Sequence, residues 1–203
     1  MRFASLRHTK KLAAVVVLLS AAFTLALAQQ PRSFMFDPAQ TTVHFTLGTA
    51  LHTVHGTFKL TRGTILFDPA TGTASGELVV DATSGESGNG SRDKKMHKEI
   101  LESQKFPVIT FTPQHFTGAL PEQGKTHLVV EGQFGIHGQS HPMTLNIDAE
   151  LNGGNATATT TFAVPYKQWG MKDPSAFLLH VNDKVEISLQ TAAHTGVVQA
   201  VPR

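Results

Sequence analysis

Histidine is the residue type in this sequence with the widest chemical capacity, because imidazole binds metals and titrates near neutral pH. The chain has 11 histidines and no cysteine, so a metal site would depend on imidazole and carboxylate ligands. His52 and His55 are three residues apart, which puts them on opposite faces of a strand. His137 and His141 flank a turn, a spacing that permits chelation without predicting it. We predict no metal site, and a periplasmic His-dependent metal-binding protein or enzyme remains the alternative.

Catalytic motifs are weak elsewhere in the chain. The stretch Gly85–Asn89 (GESGN) lacks the final glycine of a nucleophile elbow, and it contains no dinucleotide-binding fingerprint. Arg92 and Asp93 could form a catalytic pair, but they stand at the start of a predicted helix, where capping or anchoring is the simpler role. We therefore predict no catalytic residues, no cofactor and no enzymatic activity.

The first 28 residues have the pattern of a secretory signal peptide. Basic residues are followed by the apolar run Leu12–Leu27 and by the small-residue motif Ala26–Ala28, so we expect cleavage after Ala28. An uncleaved membrane anchor is the alternative. Cleavage would leave 13 of the 17 Lys and Arg residues against 15 Asp and Glu, a mildly acidic protein. This balance argues against a nucleic-acid partner.

The mature chain alternates apolar and polar residues with a period of two, which is typical of half-buried strands. Clear examples are Thr41–Leu47, Ser75–Ala82, His127–His137 and His141–Leu151. About eight such segments separated by turn residues predict an all-β fold, an antiparallel barrel or sandwich. Ser91–Gln104 instead predicts one short helix, because its apolar residues follow helical spacing. We place a linker at residues 29–33, one domain at 34–194 and a flexible tail at 195–203.

The inward faces of the predicted strands carry almost no ionisable residue. An eight-stranded barrel has an interior that is either filled by side chains or wide enough for one ligand. Periodicity alone does not separate these cases, so a stress-related module with a filled core is an alternative. Gly132 and Ala149 lie among bulky inward neighbours and would leave space for a ligand unless another strand fills it.

A set of short motifs runs through the mature chain in a fixed order. They are Val54–Phe58 (VHGTF), Gly63–Pro69 (GTILFDP), Arg92-Asp93, Lys105–Phe111 (KFPVITF), Gly135–Gly138 (GIHG) and His141–Met143 (HPM). In this order and spacing, the chain resembles the YceI-like family of exported lipid-binding proteins. The run Pro165–Gly170 departs from that family, in which a basic and an acidic residue often precede the aromatic-glycine pair.

The resemblance implies an eight-stranded, lipocalin-like antiparallel barrel in the periplasm. It also implies a partner that is a polyisoprenoid, an isoprenoid quinone or another long-chain lipid. The pocket residues implied by the matching strands are Phe45, Phe58, Phe111, Phe134, Ile136 and Met143. The period-two faces add Leu145, Phe162 and Ile187. The loop around Trp169 adds Trp169 and Phe177, either as a lid over the barrel mouth or as a packed plug at the end of the barrel. We also expect transient contact with a membrane surface, and the sequence leaves monomer and homodimer open.

Overall fold

Antiparallel strands account for most of the regular structure. The computed structural model describes residues 30–175 and 180–197. Its strands are β1 (Arg32–Phe36), β2 (Thr42–Gly48), β3 (Thr53–Asp68), β4 (Thr73–Glu86), β5 (Val108–Thr117), β6 (Gly124–Ile136), β7 (Gln139–Asn152), β8 (Asn155–Val164) and β9 (Val185–Val197). A 3₁₀ turn (Pro38–Gln40) separates β1 from β2, and helix α1 (Gly90–Lys95) continues into a π-helical turn (Met96–Ile100) before β5. In the described part of the chain, no helix combines the length and apolar character needed to cross a membrane.

The nine strands occupy eight positions around a closed barrel. β1 and β2 both lie between β3 and β9, with Arg32 opposite Phe67 and Val43 opposite Phe58 on β3. β1 and β2 therefore share one strand position in the barrel wall, interrupted by the 3₁₀ turn. In that turn the Asp37 carboxylate accepts a hydrogen bond from the backbone N–H of Ala39 at 2.8 Å. Pairing of β3 with β4 closes the ring. The predicted eight-stranded antiparallel barrel with one short helix is confirmed.

One half of the barrel interior is filled by aromatic side chains. The Phe67 ring makes edge contacts with Phe34 at 5.5 Å and Phe116 at 4.9 Å between centroids. Leu128 and Val130 of β6 are also buried there, on the face that their alternation predicts. A residual cavity of only about 70 Å³ remains among these side chains. The filled-core alternative thus describes this half of the barrel correctly.

Three predicted boundaries differ from the structure. The helical segment ends at Ile100 instead of Gln104, because Glu102 has a left-handed φ of 45° that ends helical geometry. Its N-cap is Asn89, whose side chain accepts from the Arg92 N–H. β1 begins inside the predicted linker and β9 extends into the predicted tail, because Ser33 pairs with Gly196. The predicted signal peptide and Phe177 lie outside the described residues.

Candidate functional site

The second half of the barrel is hollow. It contains a cavity of about 540 Å³, within the range of about 300–1,000 Å³ that small-molecule pockets occupy. Most of its wall is aliphatic or aromatic because the inward face of each strand carries apolar residues at every second position. The predicted residues that line it are Phe45, Phe58, Phe111, Phe134, Ile136, Leu145, Phe162 and Ile187.

The cavity has a floor at the middle of the barrel. Leu78, Phe111, Leu145 and Leu189 line both this cavity and the small one in the filled half. These side chains come from four different strands, β4, β5, β7 and β9, so they meet across the interior. The floor limits how deep a guest molecule can enter from the hollow end.

Two predicted residues stand beside the cavity and do not line it. Met143 lies on the inward face of β7 and packs half-buried against the core. Trp169 is also half-buried, and its indole stacks on the His141 ring at 4.0 Å with an interplanar angle of 3°. Trp169 is 5.8 Å from Phe134, a cavity-lining ring. Trp169 therefore lies next to a ring of the cavity wall, although Trp169 does not line the cavity itself.

The loop that contains Trp169 covers one side of the cavity with other side chains. Tyr166 and Met171 are buried and line the cavity. The Tyr166 hydroxyl donates to the Asn182 carbonyl at 2.6 Å, and the Lys167 ammonium donates to the Val181 carbonyl at 2.7 Å. The predicted lid is thus tied to the chain before β9, mainly through Tyr166.

Ionisation of Tyr166 gives a direct test of this arrangement. Burial raises the pKa of Tyr166, with the carboxylate of Asp173 adding to the shift, so only the neutral phenol is compatible with the folded loop. The pKa of Tyr166 in the folded protein lies above its unfolded value of about 10. The contribution of the neutral phenol to the free energy of unfolding is therefore fully present below about pH 10 and is lost as the pH rises through the folded pKa. Tyr166 is the only tyrosine, so phenolate absorbance reports it alone.

We expect no phenolate signal at pH 10 and a sharp rise only where the protein unfolds. A gradual titration centred near pH 10 in folded protein would contradict the buried hydroxyl. The variant Tyr166→Phe should lose about 1 kcal/mol of unfolding free energy, because the Asn182 carbonyl loses its donor.

The barrel wall has a seam beside Trp169. The β7–β8 ladder ends at the Ile147–Thr160 pair, so residues 139–146 of β7 and 161–164 of β8 are not paired with each other. His141 lies on this open stretch, and its Nε2 is buried without a hydrogen-bond partner in the described structure. Burial lowers the pKa of His141, which favours the neutral ring that stacks on Trp169. The stack lies beside the seam on the β7 side.

Helix α1 and the π-helical turn border the mouth of the cavity. Arg92 and Asp93 both bond to Ser87: the Arg92 Nε donates to its hydroxyl at 2.7 Å, and the Asp93 carboxylate accepts from its backbone N–H at 2.9 Å. His97 fixes the next turn, with Nε2 2.8 Å from the Gly85 carbonyl oxygen. The Arg92-Asp93 pair therefore anchors the helix, in agreement with the simpler role considered from the sequence.

The histidines among the described residues do not come together in one cluster. His137 lies 2.7 Å from the Glu102 carboxylate, whereas His141 stacks on Trp169. Across residues 30–175 and 180–197, no three His, Asp or Glu side chains are grouped in a way that could hold a metal ion.

Several lining residues were not among the predicted set. Leu47, Leu60 and Val80 share the inward faces of their strands, so the period-two rule could have found them. Met96 and Ile100 come from the predicted apolar stripe of the helix, whose contact with the cavity depends on tertiary packing.

The fold and cavity together define a closed antiparallel barrel with one filled and one hollow half, a lipocalin-like architecture. The chain belongs to the YceI-like domain family, whose model matches residues 34–193. The resemblance noted from the sequence is confirmed.

Two curated relatives are similar to this chain in sequence. A UPF0312 protein of Shewanella baltica (strain OS185) is 30% identical over 129 residues, which cover 59% of this chain and 64% of the relative. A UPF0312 protein of Vibrio cholerae is 29% identical over 97 residues, 47% of this chain and 49% of the relative. The chain therefore spans less than two thirds of the curated relatives it matches.

Two solved structures have a similar fold. BcnA of Burkholderia cenocepacia superposes with a TM-score of 0.65 at 22% identity, covering 78% of this chain and 99% of BcnA. A polyisoprenoid-binding domain from Saccharophagus degradans gives a TM-score of 0.59 at 14% identity, covering 80% of this chain and 98% of that domain.

Proposed function

We propose that this protein is a non-enzymatic binding protein that holds one long apolar chain in the hollow half of its barrel. The ligand class is a polyisoprenoid, an isoprenoid quinone tail or a fatty-acid-like lipid. The observation that carries the proposal is the cavity of about 540 Å³ with its floor of Leu78, Phe111, Leu145 and Leu189. The shared fold with the polyisoprenoid-binding domain of Saccharophagus degradans supports it.

The energetics of this cavity favour hydrocarbon over polar metabolites. Each methylene group moved from water into the cavity contributes about 0.8 kcal/mol, before the costs of association. The deep wall offers phenyl rings such as Phe45 and Phe162 and no charged partner that would orient a polar guest. The cavity therefore selects ligands by the length and shape of their apolar chain, and the floor limits both.

We also propose that residues 1–28 direct export to the periplasm and are removed after Ala28. The basic start, the apolar run Leu12–Leu27 and the small-residue motif support this part of the proposal. Amino-terminal sequencing of protein from a periplasmic extract should begin at Gln29. An intact Met1 in membrane-bound protein would contradict it.

The binding proposal has a direct readout in the single tryptophan. Trp169 lies 5.8 Å from Phe134 on the cavity wall, so a chain entering the cavity should change its fluorescence. We expect saturable titration by long-chain ligands and a thermal midpoint that rises with ligand concentration, because the ligand binds only the folded state.

Native mass spectrometry tests the same proposal without an added ligand. Natively purified protein should carry one apolar molecule, which denaturation releases. Repeated absence of a bound molecule, together with no fluorescence response to any long-chain ligand, would contradict the proposed function.

A further inference from the structure

Two cationic side chains of α1 face the mouth of the cavity. Arg92 and Lys95 are three residues apart, so they lie on the same side of the helix, and both line the cavity. The hydroxyl-bearing residues Ser87 and Ser91 line the same region. This polar border contrasts with the apolar wall below it.

The guanidinium of Arg92 is only partly used by the protein. Its Nε and Nη2 donate to the hydroxyl and the carbonyl of Ser87, at 2.7 and 2.9 Å. Nη1 makes no hydrogen bond within the described residues. Asp93 bonds to the same serine and offsets part of the charge, but it forms no ion pair with Arg92.

The ammonium of Lys95 has even weaker partners. Its Nζ is 3.4 Å from the Pro174 carbonyl, a long contact, and it forms no ion pair within the described residues. Glu99 is the carboxylate one turn further along, and it accepts instead from Lys172 at 2.6 Å. A neighbouring lysine on the lid, Lys167, is paired with Asp173 at 2.8 Å.

The cations at the cavity mouth differ from the two lysines of the lid loop in their pairing. Lys167 and Lys172 have carboxylate partners, whereas the two cations that line the cavity do not. Charge-assisted hydrogen bonds to an oxyanion are the strong bonds available to such donors.

We propose that Arg92 and Lys95 form a binding site for an anionic head, a phosphate or carboxylate, on the molecule whose chain occupies the cavity. This inference rests on the proposed function and names the class of its ligand: an amphipathic anion. The chain enters the apolar half, while the head stays at the mouth between α1 and the lid.

The test compares ligands that share a chain and differ in the head. Dodecyl phosphate and dodecanol are titrated into the wild-type protein, into Lys95→Met and into Lys94→Met, with Trp169 fluorescence as the readout. Lys94→Met is the matched control, because it removes the same charge from an exposed position of the same helix that does not line the cavity.

We expect the wild type to bind dodecyl phosphate about tenfold more tightly than dodecanol at low salt, as charge-assisted hydrogen bonds to the head predict. Lys95→Met should lose most of this preference and keep its affinity for dodecanol, and Lys94→Met should keep both. Inorganic phosphate should compete only weakly, because the chain supplies much of the affinity.

Each other outcome overturns the inference in a recognisable way. Equal binding of the two ligands would overturn the anionic head and leave the proposed function intact. Equal loss of preference in Lys94→Met would assign the effect to the overall charge of the helix. Tight binding of inorganic phosphate alone would indicate a free-phosphate site. Binding of neither ligand would overturn both the inference and the proposed function.

Discussion

The variant Ile187→Trp is expected to lose long-chain binding and to keep its stability. Ile187 lines the hollow half and lies between Phe45 on β2 and Phe162 on β8 in the strand register. An indole at this position would occupy empty space, so it should cost little folding free energy. Displacing about four methylenes of the ligand, at about 0.8 kcal/mol each, lowers affinity about two hundredfold.

The matched control places the same substitution in the filled half. Ile147 lines only the small cavity of about 70 Å³. Ile147→Trp should compress packed neighbours and lower the free energy of unfolding by about 1–3 kcal/mol, while the folded fraction still binds the ligand. Ligand titration and denaturant unfolding measure the two effects separately. Unchanged ligand affinity in Ile187→Trp would show that the chain does not occupy this cavity.

The variant Phe67→Ala should have the largest effect on stability. Phe67 is 5% exposed and contacts Phe34 and Phe116 through edge-to-face packing. Removing the ring leaves a void in the tightly filled half, which costs about 3–5 kcal/mol. Urea denaturation should show a lower midpoint with an unchanged slope, because the surface exposed on unfolding is nearly the same.

A second phenylalanine gives the comparison. Phe162 is half-buried and borders the hollow half, so its ring already faces empty space. Phe162→Ala should therefore cost only about 1–2 kcal/mol and should weaken chain binding as well. Equal destabilisation by both variants would contradict the division of the barrel into a filled and a hollow half.

The sequence predicts which face a strand residue occupies, because strand alternation determines the face. This rule predicts that Leu145, Phe162 and Ile187 face the interior, and the structure places all three there. Alternation says nothing about depth along the barrel axis. Leu145 and Ile147 have the same parity, yet only Leu145 reaches the large cavity.

Other parts of the site depend on contacts between distant segments. The Leu101 N–H donates to the Met96 carbonyl at 2.9 Å in the π-helical turn. This turn places Met96 at the cavity, and helical periodicity does not predict its spacing. The Trp169–His141 stack joins the lid to β7, and no sequence pattern links these two residues. Both features require the folded barrel.

The seam beside Trp169 has a consequence for self-association. Closed barrels avoid exposed sheet edges, which otherwise pair with strands of other molecules. Residues 139–146 of β7 are such an edge on the side of β8, and Pro142 lies within them. Proline has no backbone N–H to offer an incoming strand. Pro142, beside the Trp169–His141 stack, thus makes the β7 side of this seam a poorer template for an incoming strand.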